Sequence, residues 1–240
     1  MLRTTTASIL EDVPRLVHGF EQRLGAPDPS GAVGPSRGEA REESRRRVAE
    51  ALEGRGRLLL LKQVHGASVA EAPWEGTPEA DAAVATGPGL LLGVETADCL
   101  PILIVDPRRR TVAAAHAGWR GTASGVATRA VEALLAAGSD AEDLLAALGP
   151  SIGPCCYEVG EELRTAFGPA GAAFFRPGPR GRPHLDVRAA NLAQLLAAGL
   201  RPEHVQEVGD CTACRPDLYY SYRRDGGGAG RMINFIGWEP

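Results

Sequence analysis

The chain has 240 residues, of which 44% are hydrophobic and 23% charged, and its formal net charge is −4. This composition is typical of a globular protein with enough apolar residues for a core, and the negative net charge argues against a general nucleic-acid binder. No signal-peptide core and no apolar run of membrane-spanning length occur, so we expect no membrane association. Five cysteines, two of them adjacent, do not match a secreted disulfide framework, and we therefore expect a cytoplasmic protein.

The first part of the chain is poor in large apolar side chains between residues 25 and 57. We predict a loop for the first half of this region and a short, arginine-rich helix at residues 44–52. Short apolar runs follow, each bounded by Gly, Pro, Asp or Arg, as is typical of buried strands. The predicted strands span residues 58–64, 81–86, 90–96, 101–106 and 111–115.

Helices become frequent in the second half. The stretch TASGVATRAVEALLAAG predicts one helix, with Thr122 as its N-cap and Gly138 as its C-cap. Further helices are predicted at residues 159–167 and at residues 187–199, the second one capped by Asp186. Strands are predicted within LLAALGPSIGP and at residues 205–210 and 231–237. These elements predict a single mixed α/β domain over residues 1–240.

Three residues that commonly bind metals stand at the ends of predicted strands. His65 follows residues 58–64, Cys99 follows the strand at 90–96, and His116 follows the strand at 111–115. If these strands share one direction, their side chains converge at one edge of a sheet. One sulfur and two nitrogen ligands with an open fourth position match a catalytic zinc. The spacing fits no compact zinc-finger rule, so a buried core cysteine with turn histidines remains an alternative.

Two arginine-containing stretches predict an anion site. HAGWRGTASG places Arg120 between a strand end and a helix start, where backbone N–H groups attract anions. The alternative is a tight turn with Trp119 packed against the sheet. SYRRDGGGAGRMINF sets Tyr222, Arg223 and Arg224 beside a glycine-rich loop. That loop predicts either a clamp for an anionic or aromatic ligand or an exposed hairpin.

Four further thiols belong to Cys155, Cys156, Cys211 and Cys214. They could be assembled into a structural zinc site, but adjacent residues rarely both reach one ion. We therefore predict packing or incidental redox roles for these cysteines rather than a tetrahedral site.

Several ordered motifs resemble one known family. They are LKQVHG, TADCLPILIVDP, AAAHAGWRGTASGV, LGPSIGPCCYEVGEE, LDVRAANLAQL, CTAC and YYSYRRDGGGAGRMINFI. From about Leu58 to the C-terminus they resemble the laccase-like multicopper polyphenol oxidases, also called purine nucleoside phosphorylases or peptidoglycan editing factors. Residues 1–57 form a divergent N-terminal portion. It keeps the His-Gly-Phe motif of the family, but the glycine-rich segment that usually follows this motif is altered. Ser44-Arg45 stands where the family tends to have Asn-Arg.

The resemblance implies an α/β fold in which mixed β-sheets are sandwiched between α-helices. It also implies a zinc ion held by His65, Cys99 and His116, the residues that the strand pattern indicates. The implied activity is phosphorolysis of purine nucleosides, chiefly adenosine, inosine and methylthioadenosine, with adenosine deaminase activity in addition. A purine nucleoside and phosphate would then be the partners, and the chain would be a monomer or a weak homodimer. Arg120, together with Arg45 or Arg223, is the candidate for phosphate binding.

Three other functions remain alternatives. A copper-dependent polyphenol oxidase needs many histidines for several copper ions, and the chain has five in all, so copper is less favoured than zinc. A hydrolase that edits a peptidoglycan precursor would use Cys99 as a thiolate nucleophile beside His116 and would be active without metal. A non-enzymatic binding module would bind metal but show no turnover.

Overall fold

The structure, a computed structural model, describes residues 2–24 and 37–240. Its strands are β1 (Thr4–Thr5), β2 (Leu16–Glu21), β3 (Arg57–Leu60), β4 (Val69–Glu71), β5 (Ala82–Thr86), β6 (Leu90–Thr96), β7 (Leu100–Asp106), β8 (Thr111–Ala117), β9 (Leu145–Leu148), β10 (Phe175–Pro177), β11 (Pro183–Leu185), β12 (Val205–Glu207) and β13 (Met232–Trp238). Its helices are α1 (Ser8–Glu11), α2 (Arg37–Ala51), α3 (Trp119–Ala123), α4 (Val126–Ala136), α5 (Glu162–Phe167), α6 (Val187–Ala197) and α7 (Tyr222–Asp225). Short 3₁₀ turns lie at Ala141–Asp143, Pro169–Phe174, Pro202–His204 and Gly226–Gly228.

Two sheets of mixed direction organise these strands. The first sheet has the order β1-β2-β13-β6-β3, in which only β3 and β6 run parallel. The second sheet has the order β12-β9-β7-β8-β5-β4, with parallel pairs at both edges and antiparallel pairs between them. β10 and β11 form a separate antiparallel ribbon. The expectation of mixed sheets is therefore confirmed.

The sheets pack face to face, and helices cover their outer faces. Strand β7 contributes side chains to both sides of the second sheet, because successive side chains of a strand alternate between the two faces. Leu103 and Val105 pack into the core between the sheets, whereas Ile102 and Ile104 pack against α4 and α6. Helix α2 covers the first sheet through Val48. Burial on both faces explains why these strands contain few polar residues, and the predicted sandwich between helices is confirmed. Within the described ranges, no helix has the length and apolar character needed to cross a membrane.

The predicted helix over residues 122–138 is wrong as a single element. Gly125, with a φ of +79°, separates α3 from α4 and precedes the first residue of α4. Thr122 is not a cap but a buried residue within α3, and its hydroxyl oxygen accepts a hydrogen bond from Asn191 Nδ2 at 2.9 Å. The predicted cap Asp186 is confirmed, since its side chain accepts a hydrogen bond from the N–H of Ala189 at 3.0 Å.

The N-terminal portion contributes a strand that the sequence analysis missed. β2 pairs with β13 inside the first sheet. Its last residue, Glu21, is buried and accepts hydrogen bonds from Ser44 Oγ at 2.5 Å and from the N–H of Ile233 at 2.7 Å. The predicted arginine-rich helix is present as α2, which begins earlier, at Arg37. The loop predicted before it lies mostly outside the described residues.

Candidate metal centre and surrounding pocket

His65, Cys99 and His116 converge although they belong to different sheets. His65 follows β3 of the first sheet, and His116 lies in β8 of the second sheet opposite Pro101. Cys99 lies in the crossover from β6 to β7, which connects the two sheets. One ligand atom from each residue lies within 4.8 Å of the others. The expected convergence is present, but the single sheet edge assumed for it is wrong, because the crossover between packed sheets brings the residues together.

A buried carboxylate, Asp81, holds two of the three candidate ligands. Its Oδ1 lies 2.8 Å from His116 Nδ1 and accepts a hydrogen bond from the N–H of His65 at 2.9 Å. Its Oδ2 accepts from the N–H groups of Val64 at 3.2 Å and Gly66 at 2.6 Å. These bonds support the left-handed backbone of His65, whose φ is 62°. With Nδ1 engaged, His116 is left with Nε2 as the nitrogen that can bind an ion.

A second carboxylate, Asp98, fixes the loop that carries Cys99. Its backbone has a φ of 91°, a sparsely populated conformation for a residue other than glycine. The Asp98 carboxylate accepts hydrogen bonds from Thr212 Oγ1 at 2.6 Å and from the N–H of Arg223 at 2.7 Å. The C-terminal segment is thereby tied to the residue that precedes a candidate ligand.

Glycine at position 118 leaves room for the candidate ligands. A Cβ atom at Gly118 would lie 3.1 Å from Cys99 Sγ and 3.1 Å from His65 Cδ2. A Cβ atom at Gly121 would lie 2.8 Å from the carbonyl oxygen of Gly66. Both glycines of the HAGWRG motif therefore allow close packing of the loop after β3 against the start of α3.

The protonation states of Cys99 and His116 depend on each other. Burial favours a raised pKa for Cys99, but the charge of His116 and hydrogen bonds with His116 and His65 lower that pKa to about 6. Burial favours a lowered pKa for His116, but the charge of Cys99 and the hydrogen bond to Asp81 raise that pKa to about 9. The two shifts therefore favour a thiolate beside an imidazolium in the metal-free pair. A bound cation would take the place of the imidazolium proton.

The three residues lie in a cavity of about 560 Å³. That volume lies within the range of about 300–1,000 Å³ found for small-molecule sites. Aromatic and cationic side chains line the cavity together, a combination that suits a planar ring joined to an anion. Within the described part of the chain, these lining side chains are Trp119, Tyr157, Tyr222, Arg41, Arg120, Arg223 and Arg231.

The three arginines predicted to bind phosphate occupy different environments. Arg120 lines the cavity and its Cζ lies 4.5 Å from the centre of the Trp119 ring. Arg223 also lines the cavity, but its guanidinium donates to two main-chain carbonyls, at 3.3 and 2.8 Å. Arg45 is held by Glu95 outside the lining, with Nε 2.9 Å from Oε1. Arg120 therefore has the guanidinium best placed to receive an anion.

Glu95 and Gln63 form a polar part of the cavity wall that the sequence analysis missed. Gln63 and Glu95 exchange two hydrogen bonds of 2.8 Å between the Gln63 amide and the Glu95 main chain. Burial favours a raised pKa for Glu95, but hydrogen bonds from Arg41 and Arg45 lower it, so the carboxylate stays ionised. Both residues stand close in sequence to candidate ligands, in KQVH and VETADC. That proximity could have identified them as residues of the cavity wall.

Comparisons with known proteins show the family to which the chain belongs. Residues 32–239 match the family model described as multi-copper polyphenol oxidoreductase laccase. A Deinococcus radiodurans protein named purine nucleoside phosphorylase is 42% identical over 196 residues, covering 81% of this chain and 76% of that protein. A protein of an unknown prokaryotic organism, named adenosine deaminase RL5, is 38% identical over 197 residues, covering 75% of this chain and 74% of that protein. The crystal structure of YlmD from Geobacillus stearothermophilus has a TM-score of 0.84 at 33% identity, covering 98% of this chain and 94% of that one.

Proposed function

Since the chain belongs to the family of the multi-copper polyphenol oxidoreductase laccases, we propose that it is a zinc-dependent purine nucleoside phosphorylase. The proposed substrates are phosphate with adenosine, inosine or methylthioadenosine, and adenosine deamination is the proposed second activity. The observation that carries the proposal is the placement of one cysteine and two histidines within 4.8 Å, inside a cavity that also presents arginine and aromatic side chains. The names of the relatives in Deinococcus radiodurans and in the unknown prokaryotic organism support both activities.

The donor set fits zinc better than copper. One thiolate and two imidazoles, with room for a fourth ligand, match the ligand count of catalytic zinc sites. A blue-copper site with the same three donors adds a weak axial methionine, and the described residues that line the cavity include none. In the described ranges, the other histidines join no further cluster of ligands that could hold the additional copper ions of a multicopper oxidase. Zinc bound by His65, Cys99 and His116 would supply a Lewis acid to the cavity that these residues line.

The side chains around this centre suit the binding of both substrates. Phosphorolysis breaks the bond between the purine nitrogen and the sugar and joins a phosphate oxygen to the sugar carbon, while the proton of the hydrogen phosphate ends on the purine nitrogen, which leaves as the neutral base. Arg120 can bind phosphate through charge-assisted hydrogen bonds. Trp119 and Tyr222 line the same cavity and can contact the purine through their rings. Burial and the nearby charge of Cys99 raise the pKa of Tyr157, so its hydroxyl keeps the proton and can donate a hydrogen bond to a substrate.

One observation favours a second candidate, a metal-independent hydrolase that edits a peptidoglycan precursor. The lowered pKa of Cys99 beside a protonated His116 also describes a nucleophilic thiolate. The two proposals differ in what a chelator does, because a thiolate nucleophile does not require the ion.

The direct test is an adenosine assay with and without phosphate, run together with metal analysis of the purified chain. We expect adenine and ribose 1-phosphate to form only when phosphate is present, and inosine to form whether or not it is present. Removal of zinc with a chelator should abolish both products, and added zinc should restore them. A metal-free preparation that retained both activities would contradict the zinc proposal and favour Cys99 as a nucleophile.

Replacement of Arg120 by alanine tests the proposed phosphate site. A charge-assisted hydrogen bond contributes about 1.5–3 kcal/mol, so Arg120→Ala should raise the KM for phosphate about ten- to hundredfold. Arg120→Lys should recover part of this loss, because lysine keeps the charge but not the planar fork. The measurement is a phosphate titration at saturating nucleoside, with zinc content as the check on site integrity.

A matched control for Arg120 is Arg129 on α4, an exposed arginine that pairs with Glu132 at 2.9 Å. Arg129→Ala should leave the phosphate titration unchanged. If Arg120→Ala also left it unchanged, phosphate would have to bind at another arginine, and Arg223 would be the next candidate to replace.

A further inference from the structure

The four cysteines outside the proposed active site form a second thiol cluster. Cys155 and Cys156 lie in a turn after β9, and Cys211 and Cys214 lie in a turn after β12. The four sulfur atoms all lie within 4.8 Å of one another. Cys214 Sγ is 3.7 Å from Cys155 Sγ and 3.4 Å from Cys156 Sγ. The expectation that adjacent cysteines would not reach a common point is therefore wrong.

The local backbone explains why both neighbouring cysteines face the same point. In the first turn, the N–H groups of Cys156 and of the residue after it donate to the carbonyl oxygen of Gly153, each at 3.0 Å. In the second turn, the N–H of Cys214 donates to the carbonyl oxygen of Cys211 at 3.1 Å. The two turns lie side by side because Ser151 and Cys211 form a parallel β-bridge.

We propose that Cys155, Cys156, Cys211 and Cys214 bind one zinc ion in a second, structural site. Zinc–sulfur bonds of about 2.3 Å in a tetrahedron place neighbouring sulfurs about 3.8 Å apart, and the sulfur separations of 3.4 and 3.7 Å are close to that value. A disulfide would require about 2.05 Å between two sulfurs. Four thiolates with no oxygen or nitrogen donor form a closed ligand set, which is typical of structural rather than catalytic zinc.

The surroundings of the cluster suit a thiolate-bound ion. The N–H of Gly153 donates to Cys211 Sγ at 3.2 Å, a hydrogen bond that stabilises a metal-bound thiolate. Four thiolates and one Zn²⁺ carry a net charge of −2, and two guanidinium groups contact the main chain of the same turns. Arg223 donates to the carbonyl oxygen of Cys156 at 3.3 Å, and Arg224 donates to two carbonyls of the second turn at 2.9 and 3.3 Å. Two of the four cysteines are exposed, which leaves a path for the ion to enter.

The position of the cluster indicates what the ion would do. Tyr157, a residue of the cavity wall, directly follows Cys156. Thr212, between the cysteines of the second turn, donates to Asp98, the residue before Cys99. An ion at the cluster would join these two turns through metal–thiolate bonds. It would thereby hold one wall of the cavity against the loop that carries Cys99. Its role would be to stabilise and position, since no ligand position would remain open for a substrate.

Metal analysis of the full chain, purified without oxygen in the presence of zinc, tests the proposal. We expect about two zinc ions per chain, where the His65–Cys99–His116 site alone would give about one. Reconstitution with Co²⁺ should produce the intense sulfur-to-cobalt charge-transfer absorption of a tetrathiolate site, several times stronger than that of the single thiolate at Cys99. The double variant Cys211→Ser/Cys214→Ser should lose this absorption and one zinc ion.

The variant Cys99→Ala separates this site from the active site and leaves the four-thiol cluster untouched. It should lose the other zinc ion and keep the tetrathiolate absorption, and this result does not require the double variant to fold. The proposal would be overturned if Cys99→Ala contained no metal and showed no such absorption. It would also be overturned if mass spectrometry of the oxygen-free protein found the four cysteines joined in disulfides.

Discussion

Replacement of Cys99 by alanine is expected to remove the zinc ion from the proposed active site and to lower adenosine turnover about 10²- to 10⁴-fold, because loss of a Lewis acid removes several kcal/mol of transition-state stabilisation. Cys99 supplies the only sulfur of the three-residue site, and two histidines alone leave the coordination incomplete. Zinc content and the rates of adenine and inosine formation are the quantities to measure. Full activity of Cys99→Ala would contradict both the metal proposal and the nucleophile alternative.

The histidine variants decide between those two interpretations. A metal site requires all of its ligands, so His65→Ala and His116→Ala should cause losses of zinc and turnover similar to that of Cys99→Ala. A thiolate nucleophile depends on His116 far more than on His65, so a mild effect of His65→Ala would favour the nucleophile. His204→Ala is the matched control, since His204 lies in a 3₁₀ turn before β12 and outside the cavity lining. It should retain both zinc and activity.

The positions of the three candidate ligands could be predicted from the sequence because each stands at the end of an apolar run. A short apolar run indicates a buried segment, and such segments are commonly strands. The four strands predicted between residues 81 and 115 accordingly begin and end within two residues of β5 to β8. The run after residue 57 ends earlier than predicted, at Leu60. An apolar run does not indicate the sheet to which a strand belongs. For that reason the sequence suggested one sheet edge, whereas the three candidate ligands meet where two sheets are connected.

Residues that act through long-range contacts could not be predicted in the same way. Asp81 looks like an ordinary polar residue at the start of a strand, and only the pairing of β5 with β8 brings it to His116. The four-thiol cluster depends on a turn that directs Cys155 and Cys156 to the same side. The break at Gly125 was missed because the apolar helical period, which begins at Val126, was extended back to Thr122, a residue type that often caps helices.

Replacement of Asp81 by alanine is expected to weaken zinc binding at the three-residue site about 10- to 100-fold, the usual effect of removing a residue that orients a metal ligand. Asp81 is fully buried, and its two oxygens accept hydrogen bonds from three backbone N–H groups and contact His116 Nδ1. Its loss frees the His116 ring and removes support from the left-handed backbone of His65. Asp81→Asn should not rescue binding, because the amide NH₂ would face N–H donors in either orientation.

The dependence on pH gives a second readout for Asp81. Burial favours a raised pKa for this carboxyl, but hydrogen bonds from His116 and the N–H groups of Gly66 and His65 lower its pKa below the ordinary value. A lowered pKa in the folded chain means that the ionised carboxylate stabilises the fold above the ordinary aspartate range, near pH 4. This stabilisation is lost as the pH falls through the lowered pKa. In Asp81→Ala the corresponding loss of stability in acid should be absent from the unfolding curves.

The matched control for Asp81 is Asp106, another buried carboxylate at the end of a strand of the second sheet. Asp106 Oδ1 accepts hydrogen bonds from the N–H groups of Arg108 at 2.8 Å and Arg109 at 3.0 Å, and the residue lies outside the cavity lining. Asp106→Ala should therefore lower the free energy of unfolding without changing zinc affinity, measured by competition with a chelator of known affinity. If Asp81→Ala lowered stability to the same degree and likewise left zinc affinity unchanged, Asp81 would serve the fold alone. A selective loss of zinc affinity in Asp81→Ala would instead make it a positioning residue for His116, because Asp106 accepts main-chain hydrogen bonds of the same kind but contacts no ligand.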